Sequence, residues 1–308
     1  MDWSGKVRGS VSARGFSSPS PDGSRFLRAV DGVSAEDRQG HSLGRLDLDP
    51  NVYGLTIWAD DGRHVCGVVV RSGSGPDAGN GFLWIGAPGE PGRIIAAVGK
   101  PGSQPGVAAC SLKNDRAVVA SGLFPHWPPG ATRHLITGEV QVVKLSTGAI
   151  EYEHQYPLGN LGGQRETGMP GDWVLVAASP DGRYLAESGV FNGRTTIREI
   201  PSGKPLATFQ GSVRGFSWDG SRVVVSLWNG SSDYRAELIT WADQKTLWDR
   251  PVVAQSMLAR PDSPEVMIGV SGSAGGAPEL VVLDAAGAAT TIAREAMMAW
   301  PCPCPAGP

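Results

Sequence analysis

Residues 173–178 form an apolar, β-favouring run, and the turn Ser179-Pro180-Asp181-Gly182 follows it. The apolar run then resumes over 184–186. Asp-Gly is a strong hairpin signal, because Gly accepts positive φ and Asp bonds its own turn backbone. A second turn zone covers 189–193. Beyond it, Thr195, Ile197 and Glu199 alternate with Thr196, Arg198 and Ile200. The turn Pro201-Ser202-Gly203-Lys204 precedes a last β-favouring run over 206–209. Four short strands in about 37 residues predict one antiparallel meander.

Copies of this unit recur. Near ones are Ser20-Pro21-Asp22-Gly23, Trp58-Ala59-Asp60-Asp61-Gly62 and Ser217-Trp218-Asp219-Gly220; degraded ones are Ser111-Leu112-Lys113-Asn114-Asp115 and Ala259-Arg260-Pro261-Asp262. The turn aspartates Asp22, Asp61, Asp115, Asp181, Asp219 and Asp262 lie 39, 54, 66, 38 and 43 residues apart. A four-stranded unit repeating at about 40 residues is the β-propeller period, and the long intervals carry inserted loops. The expected fold is therefore all-β: a propeller of four-stranded antiparallel blades, six recognisable and a seventh partial.

The Ser-Pro-Asp-Gly-x-x-apolar hairpin resembles the WD40-like (PD40) repeat of TolB-type propellers, over nearly the whole chain from about Val11 to Ala293. The resemblance implies fold only. The Trp-Asp and Gly-His pairs of true WD40 repeats do not recur at period, although Trp218-Asp219 occurs once at a turn. No functional residue carries over.

The blades are expected at 11–49, 52–98, 106–156, 173–209, 211–250 and 254–293, as one domain over 1–300. Residues 1–10 and 296–300 would be closing strands, with Lys6 to Ser10 joining the last blade, and 301–308 a Pro/Cys tail. The segment ending at Phe16 parallels the one ending at Phe216, since both run into Arg-Gly-Phe-Ser.

Composition sharpens this picture. The 43 Gly and 24 Pro suit many tight turns and argue against long helices, and 41% hydrophobic residues supply a core. A net charge of −3 with no basic face disfavours nucleic acid, which needs clustered Lys and Arg. No apolar run reaches the roughly 18 residues of a membrane helix, so no membrane insertion by this chain is expected. The opening Met1-Asp2-Trp3-Ser4 is acidic and polar, and does not read as a signal peptide.

Cys66 lies on the second strand of one unit and Cys110 on the first strand of the next, and neighbouring blades could bring them together. A disulfide, which would imply an oxidising compartment, and two buried free thiols both fit. Cys302-Pro303-Cys304 offers two ligands where zinc wants four.

Catalytic signatures are missing. Ser271-Gly272-Ser273-Ala274-Gly275 imitates a nucleophile elbow but joins two strands, and reads as a loop. The Gly-rich stretch 71–81 lacks the Lys-Ser/Thr ending of a phosphate loop. The five histidines, His41, His64, His126, His134 and His154, show no metal-binding spacing. Asp60-Asp61 sits in a hairpin turn, where capping is the default role. Asn229-Gly230-Ser231 fits a glycosylation sequon, a short pattern that chance also produces. No catalytic, cofactor-binding or metal-binding residue is assigned, and no cofactor.

A meander alternates its turns between two faces, so the short turns gather on one and the longer middle-strand loops and blade linkers on the other. Function collects on such loops. The candidate patch is His126, Trp127, His134, Arg165, Asn192, Arg194, Trp228, Asn229, Asp233 and Tyr234, whose aromatic and Arg content suits protein recognition. Each residue could equally be solvated or packed on its own blade. The leading function is a non-enzymatic scaffold for a protein or peptide. Alternatives are an enzyme-associated or small-ligand propeller (a hydrolase accessory or quinoprotein-like), and an extracytoplasmic sensor of a membrane-anchored parent.

Overall fold

The Ser-x-Asp-Gly turns fold as their side chains dictate. Ser179 Oγ donates to Asp181 Oδ1 (2.6 Å) and accepts from the Tyr184 amide (2.9 Å). Ser20 and Ser217 repeat this, each donating to its aspartate at 2.6 Å and accepting an amide from Arg25 or Arg222 at 3.0 Å. Gly23, Gly182 and Gly220 follow with φ of 65°, 65° and 72°, the left-handed region that glycine enters without steric cost. In the degraded turns Asp115 and Asp262 take positive φ themselves, at 56° and 52°, which short polar side chains tolerate.

A computed structural model describes residues 16–29, 32–37, 39–47, 56–70, 81–99, 103–123, 136–156, 174–189, 193–228, 234–272 and 277–294. They form six four-stranded antiparallel sheets, each in sequence order. Blade one holds β1 (Phe16–Pro19), β2 (Arg25–Ala29), β3 (Val33–Asp37) and β4 (Ser42–Arg45). Blade two holds β5 (Ile57–Trp58), β6 (Val65–Val70), β7 (Gly81–Gly86) and β8 (Arg93–Val98). Blade three holds β9 (Gln104–Ser111), β10 (Arg116–Leu123), β11 (Ile136–Lys144) and β12 (Ile150–Gln155). Blade four holds β13 (Val174–Ala178), β14 (Tyr184–Gly189), β15 (Arg194–Glu199) and β16 (Pro205–Gln210). Blade five holds β17 (Ser212–Phe216), β18 (Arg222–Trp228), β19 (Tyr234–Thr240) and β20 (Lys245–Arg250). Blade six holds β21 (Val252–Ala259), β22 (Val266–Gly272), β23 (Glu279–Leu283) and β24 (Ala289–Arg294). The first strands of successive blades pack side by side, β1 on β5, β5 on β9, β9 on β13, β13 on β17 and β17 on β21. They form the inner edge of a propeller.

The core lies between blades. On β10, Val118 joins Leu185 and Ile200 of blade four, while Ala117 and Val119 join Val68 and Leu83 of blade two. On β18, Val224 faces Ile268 and Leu283 of blade six, while Val223 and Val225 face Ala186 and Ile197 of blade four. Trp58, Val65 and Trp84 meet Leu27 and Ala35 at the first junction. A middle strand buried on both faces reads as a continuous apolar run, which is why these segments do not alternate. Cys66 on β6 and Cys110 on β9 are disulfide-bonded inside the second cluster, tying blades two and three across 44 residues.

Two sets of contacts set the blade spacing. The first runs from turn to turn. Arg25 Nη1 reaches Gly62 O (3.4 Å), Asn114 Nδ2 reaches Asp181 O (2.9 Å), Arg183 Nη2 reaches Asp219 O (3.3 Å) and Arg222 Nη1 reaches Pro264 O (2.9 Å). Between blades two and three, Asp60 accepts from Ser111 Oγ (2.6 Å) and the Leu112 amide (2.8 Å). In the second set, the turn between the third and fourth strands of blades two to six rests on the outer strand of the blade before. The Gly89 amide donates to Arg45 O (2.9 Å), Gly148 lies on Ile95 O, Gln244 Nε2 reaches Thr208 O (3.4 Å), and Gly287 lies on Leu247 O. A Cβ on Gly203 (φ 69°) would stand 2.7 Å from Tyr152 Cε2, so this turn needs glycine for both conformation and clearance.

The structure departs from some sequence expectations. Phe216 pairs beside its turn with Val223, whereas Phe16 pairs with Ala29 at the far end of its hairpin. The shared Arg-Gly-Phe-Ser string is thus not a shared structural position. Ser271 and Gly272, read as loop, extend β22. The expected closing strands at 6–10 and 296–300, and the tail, lie outside the described residues.

Refolding in reductant, or replacing both cysteines by alanine, should lower stability by about 2–4 kcal/mol, read from urea unfolding; an unchanged midpoint would contradict this. Acid should also destabilise the fold. Burial works against ionisation of Asp22, Asp61 and Asp219. Hydrogen bonds from their turn side chains and amides outweigh it, and hold each carboxyl below the usual aspartate range. A depressed folded value stabilises above the unfolded value of about 3.9, and the gain is lost as pH falls through the folded one. The unfolding midpoint should be level from pH 7 to about 5 and fall below about pH 4; a plateau persisting to lower pH would refute it.

Candidate functional site

The strand order places the turns that close β1–β2 and β3–β4, and their equivalents in every blade, on one face. The connectors between second and third strands, and between blades, fall on the other. Most polar groups of the short-turn face are committed to the fold. Asp60, Asn114, Arg183 and Arg222 link blades, and Asp61 accepts from the Arg63 and His64 amides (both 2.9 Å) and pairs with His64 Nδ1 (2.6 Å). A shallow cleft between blades three and four is lined by Arg116, Arg183, Tyr184, Glu199 and Pro201 among others. Both of its arginines are paired, Arg116 with Glu151 (2.9 Å) and Arg183 with Asp181.

At the long-connector rim, three of the ten predicted patch residues are described. Trp228 ends β18 and Tyr234 begins β19, directly opposite one another in register. Tyr234 is 37% exposed. Arg194 opens β15 in the neighbouring blade and is exposed. The structure thus sets Trp228 beside Tyr234, with Arg194 on the same rim. His126, Trp127, His134, Arg165, Asn192, Asn229 and Asp233 lie outside the described residues.

The inner edge supplies a residue that sequence reasoning missed. In β17, Val213 pairs with Val225 and Gly215 with Val224, so Arg214 is the extra residue of a β-bulge. Bulges re-aim side chains. Val213 and Phe216 are buried at 5% and 3%, while Arg214 is exposed. Its Nε donates to Ser226 Oγ (3.0 Å). Ser226 pairs with Ala236, a member of the cluster between blades five and six. Gly215 lies against Met257 of β21, where an added Cβ would stand 2.9 Å from its sulfur. The guanidinium therefore sits where blades five and six meet beside the central channel. Desolvation alone holds it below the usual arginine range. The weak sequence signal was an Arg beside Gly in a first strand, a combination that also fits an exposed edge.

One carboxylate is buried at a blade junction. Glu187, 9% exposed on β14, accepts from Tyr156 Oη (2.8 Å) and Arg198 Nε (2.7 Å), and Arg198 Nη1 donates to Gly203 O (3.0 Å). Burial first, then the Glu187 charge, raises the Tyr156 phenol. Both carboxylate oxygens are committed, so the group locks blade three to blade four. Among the described residues no three His, Cys, Asp or Glu side chains gather as metal ligands, and no helix is long and apolar enough to cross a membrane.

No family model matches the chain, and no curated protein matches it in sequence. Solved structures do match in fold. An uncharacterized protein of Listeria monocytogenes is 9% identical with a TM-score of 0.57, over 94% of this chain and 86% of that one. The β-propeller domain of Cps50 (Swd1) from Myceliophthora thermophila is 14% identical with a TM-score of 0.50, over 86% and 82%. Prolyl oligopeptidase B from Galerina marginata is 11% identical with a TM-score of 0.54, over 90% of this chain but 41% of that enzyme. At these identities the likeness is one of fold. The propeller architecture expected from the hairpin motif holds, and enzymes and non-enzymes both use it.

Replacing Glu187 with alanine would strand the part-buried Arg198 and should cost about 3 kcal/mol. Tyr156→Phe should cost about 1 kcal/mol, the worth of one hydrogen bond. Both are read from urea unfolding, and a Glu187→Ala variant as stable as wild type would refute the lock.

Proposed function

We propose that this chain is a binding scaffold for a protein or peptide, engaged through the rim of long connectors. One observation carries the reading. On the short-turn face Arg25, Asp60, Asn114, Arg183 and Arg222 link blades, and the opposite rim carries an exposed tyrosine that pairs in register with a tryptophan, with an exposed arginine at a strand end of the adjacent blade. Tyr, Trp and Arg are the side chains that dominate recognition hot spots. His126, Trp127, His134, Arg165, Asn192, Asn229 and Asp233 belong to the same proposed surface by their position in the chain. The propeller neighbours are consistent with such a role and equally with an enzyme-associated one, as prolyl oligopeptidase B illustrates for its own chain.

The Cys66–Cys110 disulfide favours a second element of the reading, an extracytoplasmic setting, since such bonds persist where thiols are not kept reduced. Free thiols in protein isolated under alkylating conditions would remove that support.

Selection from a displayed peptide library tests the scaffold. Peptides enriched on wild type should lose about tenfold or more in affinity on a Trp228→Ala/Tyr234→Ala double variant, and lose nothing on an Ile94→Ser variant at an outer strand. Undiminished binding by the double variant would move the site elsewhere; failure to enrich any peptide would count against the scaffold itself.

A further inference from the structure

We infer that Arg214 is a carboxylate-binding site at the channel, between blades five and six, and that it receives an acidic side chain of the bound partner. The inference rests on the scaffold reading for the source of the carboxylate, and on geometry alone for the site.

The geometry is that of an arginine held ready without a counter-charge. A bulge lifts Arg214 out of the ladder on the innermost strand of blade five. Ser226 Oγ holds Nε at 3.0 Å and so orients the guanidinium plane. The two terminal amines, four of the five N–H donors of this side chain, find no protein acceptor among the described residues. Among the described residues no carboxylate pairs with Arg214. In blade six, Glu279 is taken by Arg250 (3.2 Å) and Arg294 (3.8 Å). Several other arginines of blades four to six have acidic partners: Arg183 has Asp181, Arg198 has Glu187, Arg235 has Glu237 and Asp249, and Arg260 has Glu265.

The anion class follows from charge count. A planar guanidinium with its terminal amines open binds a carboxylate through two parallel hydrogen bonds. A phosphate brings nearly two charges at neutral pH and calls for more than one cation. Arg214 has no second cation beside it among the described residues, so a singly charged carboxylate is the matched ligand. The site lies on the same blade as Trp228 and Tyr234, and Ser226 is two residues before Trp228 on β18. A peptide seated on the rim could therefore place an Asp or Glu side chain into the channel.

Two readouts test this. Glutarate, added to the intact protein, should shift the Arg214 Nε–H resonance, and inorganic phosphate at equal charge should shift it less. In Arg214→Gln the glutarate response should vanish while the unfolding midpoint stays close to wild type. Peptides displayed on the protein should be enriched in Asp and Glu. Their affinity should fall about tenfold to hundredfold for Arg214→Gln, and Arg214→Glu should enrich Lys and Arg instead. A glutarate shift without acidic enrichment would keep the carboxylate site but overturn the partner side chain as its source. Equal acidic enrichment on wild type and Arg214→Gln would overturn that source too. No glutarate shift would overturn the site, even if peptides bind the rim.

Discussion

Everything in this propeller depends on faces that only a neighbour can cover. A blade of four short strands has apolar residues on both sides of its middle strands, and it has no interior of its own. Val118 and Val119, adjacent on β10, belong to two different clusters, and Val223 and Val224 on β18 repeat the arrangement. Burial therefore stabilises junctions and not blades. What has to be specified is the distance and angle between sheets, and side-chain packing alone leaves both with some slack.

The short turns remove that slack. A side chain in one turn reaches a backbone carbonyl in the next, and the turn at the outer end rests on the outer strand behind it. The two contacts lie far apart radially, so together they fix the orientation of each pair of blades. Blades two and three show what happens when the motif is weak. Blade two has Ala59 where the turns of blades one, four and five have serine, and blade three places Asp115 at a left-handed turn position. This junction is the one that carries the disulfide and the paired bonds to Asp60. Covalent and charged links stand there in place of the Ser-Asp-Gly turn.

The same economy separates structure from recognition. Groups drawn into blade spacing have their hydrogen bonds filled and offer little to a ligand. On the opposite rim, the described ends of the strands carry Arg194 and Tyr234, which take no part in the turn-to-turn links of the short-turn face. Arg214 lies in a bulge outside the ladder, and among the described residues its one bond is to Ser226.

Hairpin chemistry was legible from residue identity. Ser-Pro-Asp-Gly dictates its own turn, and the intervals between turns dictate four strands per unit, so blade number and strand order among the described residues could be read before any coordinates. The facing of Cys66 and Cys110 was legible only as one of two alternatives, because sequence places them on neighbouring units without stating the spacing between sheets. Only the tertiary structure distinguished Phe16 from Phe216, since register depends on how far each sits from its turn and not on the string around it. Only it made Arg214 conspicuous. Whether an arginine is paired depends on carboxylates brought near it by other blades, and that no single segment states.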